Sequence, residues 1–283
     1  MRHTIDDKRR EVIRNCRIPV SNVGTIVYIP PPRYGHGEAF LTNLRAWKTK
    51  YPLVTFSDHA EWTPDRVIQS PDLIKTKQRP WAVNNFVFLM ALSIAEDSGF
   101  TDFLYLEEDC RVHGHEWDER IIGEYRRWPQ AVVGGSPVCW NSMSAGPVML
   151  AGFQIYAASY VRKCKLPVPI YGLQIPNRPR VERFTLYPNG AIAVYNVAFL
   201  RDLFKQGSMA KQALDRGAFD MEVGWELVNK FGLGLFNKCA WLSSAFSGYG
   251  DNVLNYKQRC ARLIDGTFAA VHQIKTDDTL LPA

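Results

Sequence analysis

The chain has 283 residues, 46% of them hydrophobic, with eight Trp, enough to fill the core of one large α/β domain or two small ones. No apolar run approaches the roughly 18 residues of a spanning helix, and the charged opening MRHTIDDKRREVIRNCR has no apolar core behind it, which argues against a membrane span or export signal. Six scattered cysteines without paired spacing argue against a disulfide framework and suit a cytoplasmic setting, while the formal charge of +6 is modest.

In chain order, residues 1–20 carry a surplus of three positive charges. Thr25 to Ile29 (TIVYI) predicts a first buried strand ending at three prolines, Glu38 to Lys48 a helix, and Leu53 to Phe56 a second strand. Pro80 is placed to open a helix whose body, Trp81 to Ala95, is apolar nearly all round and so expected to be buried. It leads into a strand at Phe103 to Leu106. Glu116 to Arg127 predicts a helix, Ala131 to Gly134 a short strand, and Tyr187 to Tyr195 (YPNGAIAVY) a strand region with a Gly turn. Helical stretches at 196–205, 220–231 and 256–264 complete the pass. The alternation predicts one mainly parallel, three-layer α/β domain over 1–283, with irregular insertions after residue 135.

Between Tyr160 and Arg183, Arg162, Lys163, Lys165, Arg178, Arg180 and Arg183 face Glu182 alone, a surplus of five positive charges. Tyr160, Tyr171 and four prolines are interleaved, so the segment is expected to be irregular. It is solvated surface or a contact for an anionic partner.

The run FLYLEEDC raises the sharper question, because a strand ends there in Glu107, Glu108 and Asp109. In sheets of this kind ligands gather at the carboxyl ends of strands. Alternation along a strand would put Glu107 and Asp109 on one face and turn Glu108 away. A Glu-x-Asp pair so placed suits a hard divalent cation, and a solvated strand end is the plainer alternative. Cys110, His113 and His115 lack a second pair for structural zinc, and Gly134–Gly135 lack the rest of a dinucleotide fingerprint.

FLYLEEDC resembles the strand and DxD-type motif of nucleotide-sugar-dependent glycosyltransferases with the GT-A fold, with Glu standing where Asp is commoner. The order of neighbouring motifs over residues 25–275 agrees with it. The resemblance implies a Rossmann-like three-layer domain, residues 20–135 binding the nucleotide-sugar and residues 136–283 the acceptor and the C-terminal metal and diphosphate segment. It implies that TIVYI and its loop, through Ile29 and Pro30, line the donor, that Asp58 of VTFSD lies near the base or ribose, and that Lys77 and Arg79 approach the donor. Glu107, Glu108 and Lys275 of VHQIK would meet the diphosphate, and Glu107, Asp109 and His272 would hold Mn²⁺ or Mg²⁺. FDMEVGWELV resembles the segment that carries the catalytic base, with Asp220 the first choice and Glu222 the second. LYPNGAIAVYN resembles the segment that closes over donor and acceptor, bringing Asn189 and Gly190 to the acceptor.

Each residue has a structural alternative. Asp220 is equally suited to cap a helix, and His272 in FAAVHQ to sit as a core histidine. Inversion and retention are not distinguished.

For the acceptor, the basic segment with Arg162, Lys163, Arg178 and Arg180 suits phosphate contacts. The preferred reading is a UDP-hexose, UDP-glucose first, delivered to a 5-hydroxymethylpyrimidine such as 5-hydroxymethylcytosine in double-stranded DNA, as in bacteriophage-type DNA glucosylation, which would place it in a host cytoplasm. A glycan or lipid-linked saccharide is a second acceptor class, and a non-catalytic nucleic-acid-binding protein is the competing function.

Overall fold

The first strand shows how the layers arise. Along β1 (Val23–Tyr28) and Ile29 every residue is buried: Val23, Val27 and Ile29 join one apolar cluster, Ile26 and Tyr28 another. A strand apolar on both sides must be covered on both sides, which is the signature of a sheet between two helical layers. The computed structural model describes residues 22–30, 37–57, 66–67, 80–141, 148–150, 153–157, 171–174, 181–205, 219, 223, 227, 230–231, 238–246 and 256–272.

Within these, α1 (Gly37–Ala46), β2 (Leu53–Ser57), β3 (Arg66–Val67), α2 (Pro80–Asp97) and β4 (Asp102–Leu106) form the N-terminal half. They are followed by β5 (Arg111–Val112), α3 (Trp117–Arg126), β6 (Val133–Asn141), β7 (Val148–Leu150), β8 (Phe153–Ala157), β9 (Tyr171–Gln174), β10 (Val181–Asn196) and α4 (Val197–Lys205). The chain continues through β11 (Cys239–Trp241), β12 (Ala245–Phe246), α5 (Tyr256–Ile264) and β13 (Ala270–Val271). The large sheet runs β3-β2-β1-β4-β10-β6-β8-β7, with β11 also on β6 and β9 also on β10. It is parallel from β3 to β4 and again where β6 meets β8 and β11; β10 runs antiparallel between the two parts.

On one face α2 and α4 pack on Phe103, Tyr105, Ala193 and Tyr195. On the other, α1 and α3 pack on Leu104, Leu106, Ile192 and Val194. The predicted three-layer α/β class is therefore observed. Phe88 of α2 is fully buried, stacked at 3.9 Å on Phe219 and edge-on to Tyr105 and Tyr195, which accounts for a helix apolar nearly all round.

Two expectations are corrected. Of the segment expected to be irregular, residues 171–174 form β9 and residues 181–183 begin β10, while residues 160–170 and 175–180 lie outside the described residues. The expected Gly turn at YPNGAIAVY is absent: β10 continues through it, and the ladder to β6 shifts register between Pro188 and Ala193. Pro188 stands opposite Pro137, so neither offers an N–H to that rung, and the pairing resumes with Ala193 opposite Gly135.

Candidate metal centre

Val27 of β1 is paired with Leu106 of β4 in parallel register, so both strands end at one edge of the sheet. Past Leu106 the chain turns. The Glu107 N–H donates to the Ala191 carbonyl at 2.9 Å, and the Cys110 N–H folds back to the Glu107 carbonyl at 3.1 Å. Glu107 and Asp109 therefore come together through a turn spanning 107–110 and not through strand alternation, which the sequence pattern had suggested. The turn is anchored again where the buried Cys110 thiol donates to the Ala191 carbonyl, 3.3 Å away.

From the turn the chain enters β5, the edge of a small second sheet ordered β12-β13-β5. Arg111 faces Val271 and Val112 faces Ala270 in antiparallel register. Asp109 leads into β5 and His272 leaves β13 at the same end of this pair, so the register sets them side by side. The His272 N–H donates to the Phe246 carbonyl at 2.8 Å, which fixes the histidine backbone against β12. His272 Nε2 then lies 2.9 Å from Asp109 Oδ1 and 3.3 Å from Glu107 Oε2. One ligand atom from each of the three residues falls within 4.8 Å of the others.

The electrostatics follow from this closeness. Burial alone would lower the His272 pKa, but the Asp109 charge and hydrogen bond, with those of Glu107, outweigh it and lift the imidazole to about 10. Glu108 is pushed up to about 7 by burial and by the neighbouring Glu107 charge. Among the described residues, like charges thus crowd a partly buried turn, and the histidine beside them must carry a proton to offset them. Two carboxylate oxygens and an imidazole nitrogen also fit a divalent cation of intermediate softness such as Mn²⁺ at least as well as Mg²⁺. A cation there would neutralise the crowding and displace the histidine proton.

The other predicted residues fall in three groups. Ile29 and Pro30 follow β1 at the same end of the sheet, both buried, with the Ile29 N–H donating to the Phe56 carbonyl at 2.8 Å. Gly37 opens α1 so close to Pro30 that an added Cβ would lie 2.5 Å from its carbonyl oxygen. Asn189 and Gly190 lie in β10 just before Ala191, which accepts the Glu107 N–H, so this segment borders the acidic turn. Asp58, Lys77, Arg79, Arg162, Lys163, Arg178, Arg180, Asp220, Glu222 and Lys275 lie outside the described residues. Phe219 and Val223, on either side of Asp220 and Glu222, are helical and buried.

Sequence reasoning missed what holds the centre together. Buried Asn43 of α1 exchanges two hydrogen bonds with the Val112 backbone, and Glu124 of α3 binds Ser243 and Ser244 ahead of β12. An Asn within the buried stripe Phe40, Leu41, Leu44 was the available signal, since a buried amide needs partners.

No family model matches the chain, and no curated protein matches it. Among solved structures, the chain is similar to mouse xyloside xylosyltransferase 1 in its apo form, at 9% identity and a TM-score of 0.43, covering 94% of this chain and 100% of that one. It is also similar to the apo structure of the bifunctional glycosyltransferase WbbM, at 11% identity and a TM-score of 0.48, covering 93% of this chain and 48% of that one.

Proposed function

We propose that the chain is a metal-dependent glycosyltransferase of the GT-A type, moving a hexose from a nucleotide-sugar to an acceptor hydroxyl. The observation that carries the reading is the convergence of Glu107, Asp109 and His272, from two distant parts of the sequence, at the carboxyl edge of the parallel strands. Glu107, Asp109 and His272 would hold Mn²⁺ or Mg²⁺, and the bound cation supplies positive charge to the diphosphate as it leaves. Residues 20–135 bind the donor in this reading, with Ile29 and Pro30 beside it, Asp58 near the base or ribose, and Glu108, Lys77, Arg79 and Lys275 around the diphosphate.

Residues 136–283 take the acceptor, with Asn189 and Gly190 bordering the site and Arg162, Lys163, Arg178 and Arg180 as the basic surface. As the acceptor oxygen bonds to the anomeric carbon, the bond to the nucleoside diphosphate breaks, and the acceptor proton passes to Asp220, or to Glu222 as second choice. The preferred donor is UDP-glucose and the preferred acceptor a 5-hydroxymethylpyrimidine in double-stranded DNA. The charge surplus between Tyr160 and Arg183 supports a polyanion over a neutral glycan.

The test is a screen of sugar nucleotides with Mn²⁺ or Mg²⁺ against hydroxymethylcytosine DNA, plain DNA and soluble glycans, following diphosphate release and acceptor mass. Metal-dependent release with a hexose added to hydroxymethylated DNA alone is expected. Asp109→Asn and His272→Ala should lower turnover at least about a hundredfold while circular dichroism is unchanged. Release without DNA modification keeps the transferase and removes the acceptor; no turnover with any donor removes both.

A further inference from the structure

We propose that Asn43 is a positioning residue for the cation centre: from helix α1 its amide fixes the strand that sets Asp109 against His272. The inference rests on reading Glu107, Asp109 and His272 as ligands of a divalent cation. Asn43 Nδ2 donates to the Val112 carbonyl at 3.0 Å, and the Val112 N–H donates to Asn43 Oδ1 at 2.9 Å. One amide giving and taking a hydrogen bond with a single residue reproduces a rung of a β-ladder.

Asn43 therefore stands where a fourth strand would stand, on the edge of β5 that no strand covers among the described residues. Val112 and Asn43 are both buried, so water is not there to replace the amide. The helix is a firm base for this contact, because Phe40, Leu41 and Leu44 sink into the core on the same side. It touches the other residue of β5 as well: the Arg111 guanidinium lies 5.7 Å from the centroid of the Phe40 ring.

The consequence reaches the ligands by a short path. Asp109 is two residues ahead of Arg111, and His272 is the residue after Val271, the rung partner of Arg111. A shift of β5 along or away from β13 changes the 2.9 Å separation of His272 Nε2 and Asp109 Oδ1. Asn43 thus orients the ligands through the backbone, as hydrogen-bond partners of metal-ligating side chains do through the ligands themselves.

The test is Mn²⁺ affinity of the full chain, by calorimetry or by electron paramagnetic resonance of free Mn²⁺, set beside the thermal midpoint. Asn43→Leu keeps the bulk and removes both hydrogen bonds; Leu200→Ala, on α4 in the apolar cluster on the opposite face of the sheet, destabilises the core from the far side. Asn43→Leu is expected to raise the Mn²⁺ Kd about tenfold or more, with Leu200→Ala keeping the wild-type Kd despite its lower midpoint. Wild-type affinity in Asn43→Leu, or equal weakening in both variants in step with their midpoints, overturns the proposal. Should Asn43→Leu not fold, Asn43→Asp keeps the acceptor for the Val112 N–H, sets a carboxylate oxygen against the Val112 carbonyl, and is judged by the same criteria. Wild-type protein that takes up no Mn²⁺ overturns the cation reading and this inference together, whereas wild-type uptake with an unaffected Asn43→Leu removes the role of Asn43 alone.

Discussion

The Glu124 carboxylate on α3 takes four hydrogen bonds from two consecutive serines. Ser243 gives its N–H at 2.7 Å and its hydroxyl at 2.6 Å to Oε1; Ser244 gives its N–H at 2.9 Å and its hydroxyl at 2.6 Å to Oε2. Burial favours the protonated acid, but these donors together outweigh it and hold the Glu124 pKa below its ordinary value. A carboxylate whose folded pKa is depressed contributes stability above its unfolded pKa and loses it as pH falls through the folded one. The clasp also bears on the site, because the Ser244 carbonyl accepts the Ala269 N–H at 2.7 Å, just ahead of β13 and His272. Glu124→Gln, which sets an amide against N–H and hydroxyl donors, should cost about 1–3 kcal/mol at neutral pH. Urea unfolding of both proteins across the acid range checks the source. The gap should close as pH drops below the ordinary carboxylate range; a gap that persists unchanged means that ionisation of Glu124 does not supply it.

At the scale of elements, the contact of α3 with β6 depends on a missing side chain. A Cβ on Gly134 would lie 2.7 Å from Tyr125 Cδ2 and 3.3 Å from the Ala240 Cβ on the adjoining strand. The ring has little freedom to retreat, since its hydroxyl is 3.0 Å from both Asp102 Oδ1 and the Ala131 carbonyl and donates to one or the other. Burial and the Asp102 carboxylate raise the phenol pKa, so it remains a neutral donor. Asp102 in turn accepts from Asn196 Nδ2 at 3.1 Å, so one network ties the start of β4, the end of β10 and the end of α3. Gly134→Ala should therefore lower stability by about 1–3 kcal/mol. Measured again in a Tyr125→Leu background, where the ring is gone, the same substitution should cost less, and the coupling between the two is the quantity to read. Additive costs would place the strain in the backbone of β6 and not in the ring.

Across the whole molecule, legibility follows the length of the pattern. Helix α2 and strand β4 could be read because many apolar residues repeat in register, and Glu107 and Asp109 because they follow such a run. Strands β5, β12 and β13 have two residues each, too few for any period, yet they bring His272 to the acidic turn. His272 was therefore nominated by resemblance and motif order, while Asn43 and Glu124, which act through backbone groups far away in sequence, were not nominated at all. The same separation gives a measurement on the intact protein. A cation held by Glu107, Asp109 and His272 closes a loop between distant segments and has no such site in the unfolded chain, so binding must stabilise the native state. At a free Mn²⁺ concentration a hundred times its Kd the gain is about 2.7 kcal/mol, which for a chain of this size raises the thermal midpoint by about 5 °C. Chelation should reverse the shift, and His272→Ala should abolish it even where its own midpoint is close to that of the wild type. An equal shift in His272→Ala would mean that the ion binds elsewhere, and the histidine would then be a clamp on the acidic turn, holding β13 to β4 by charge.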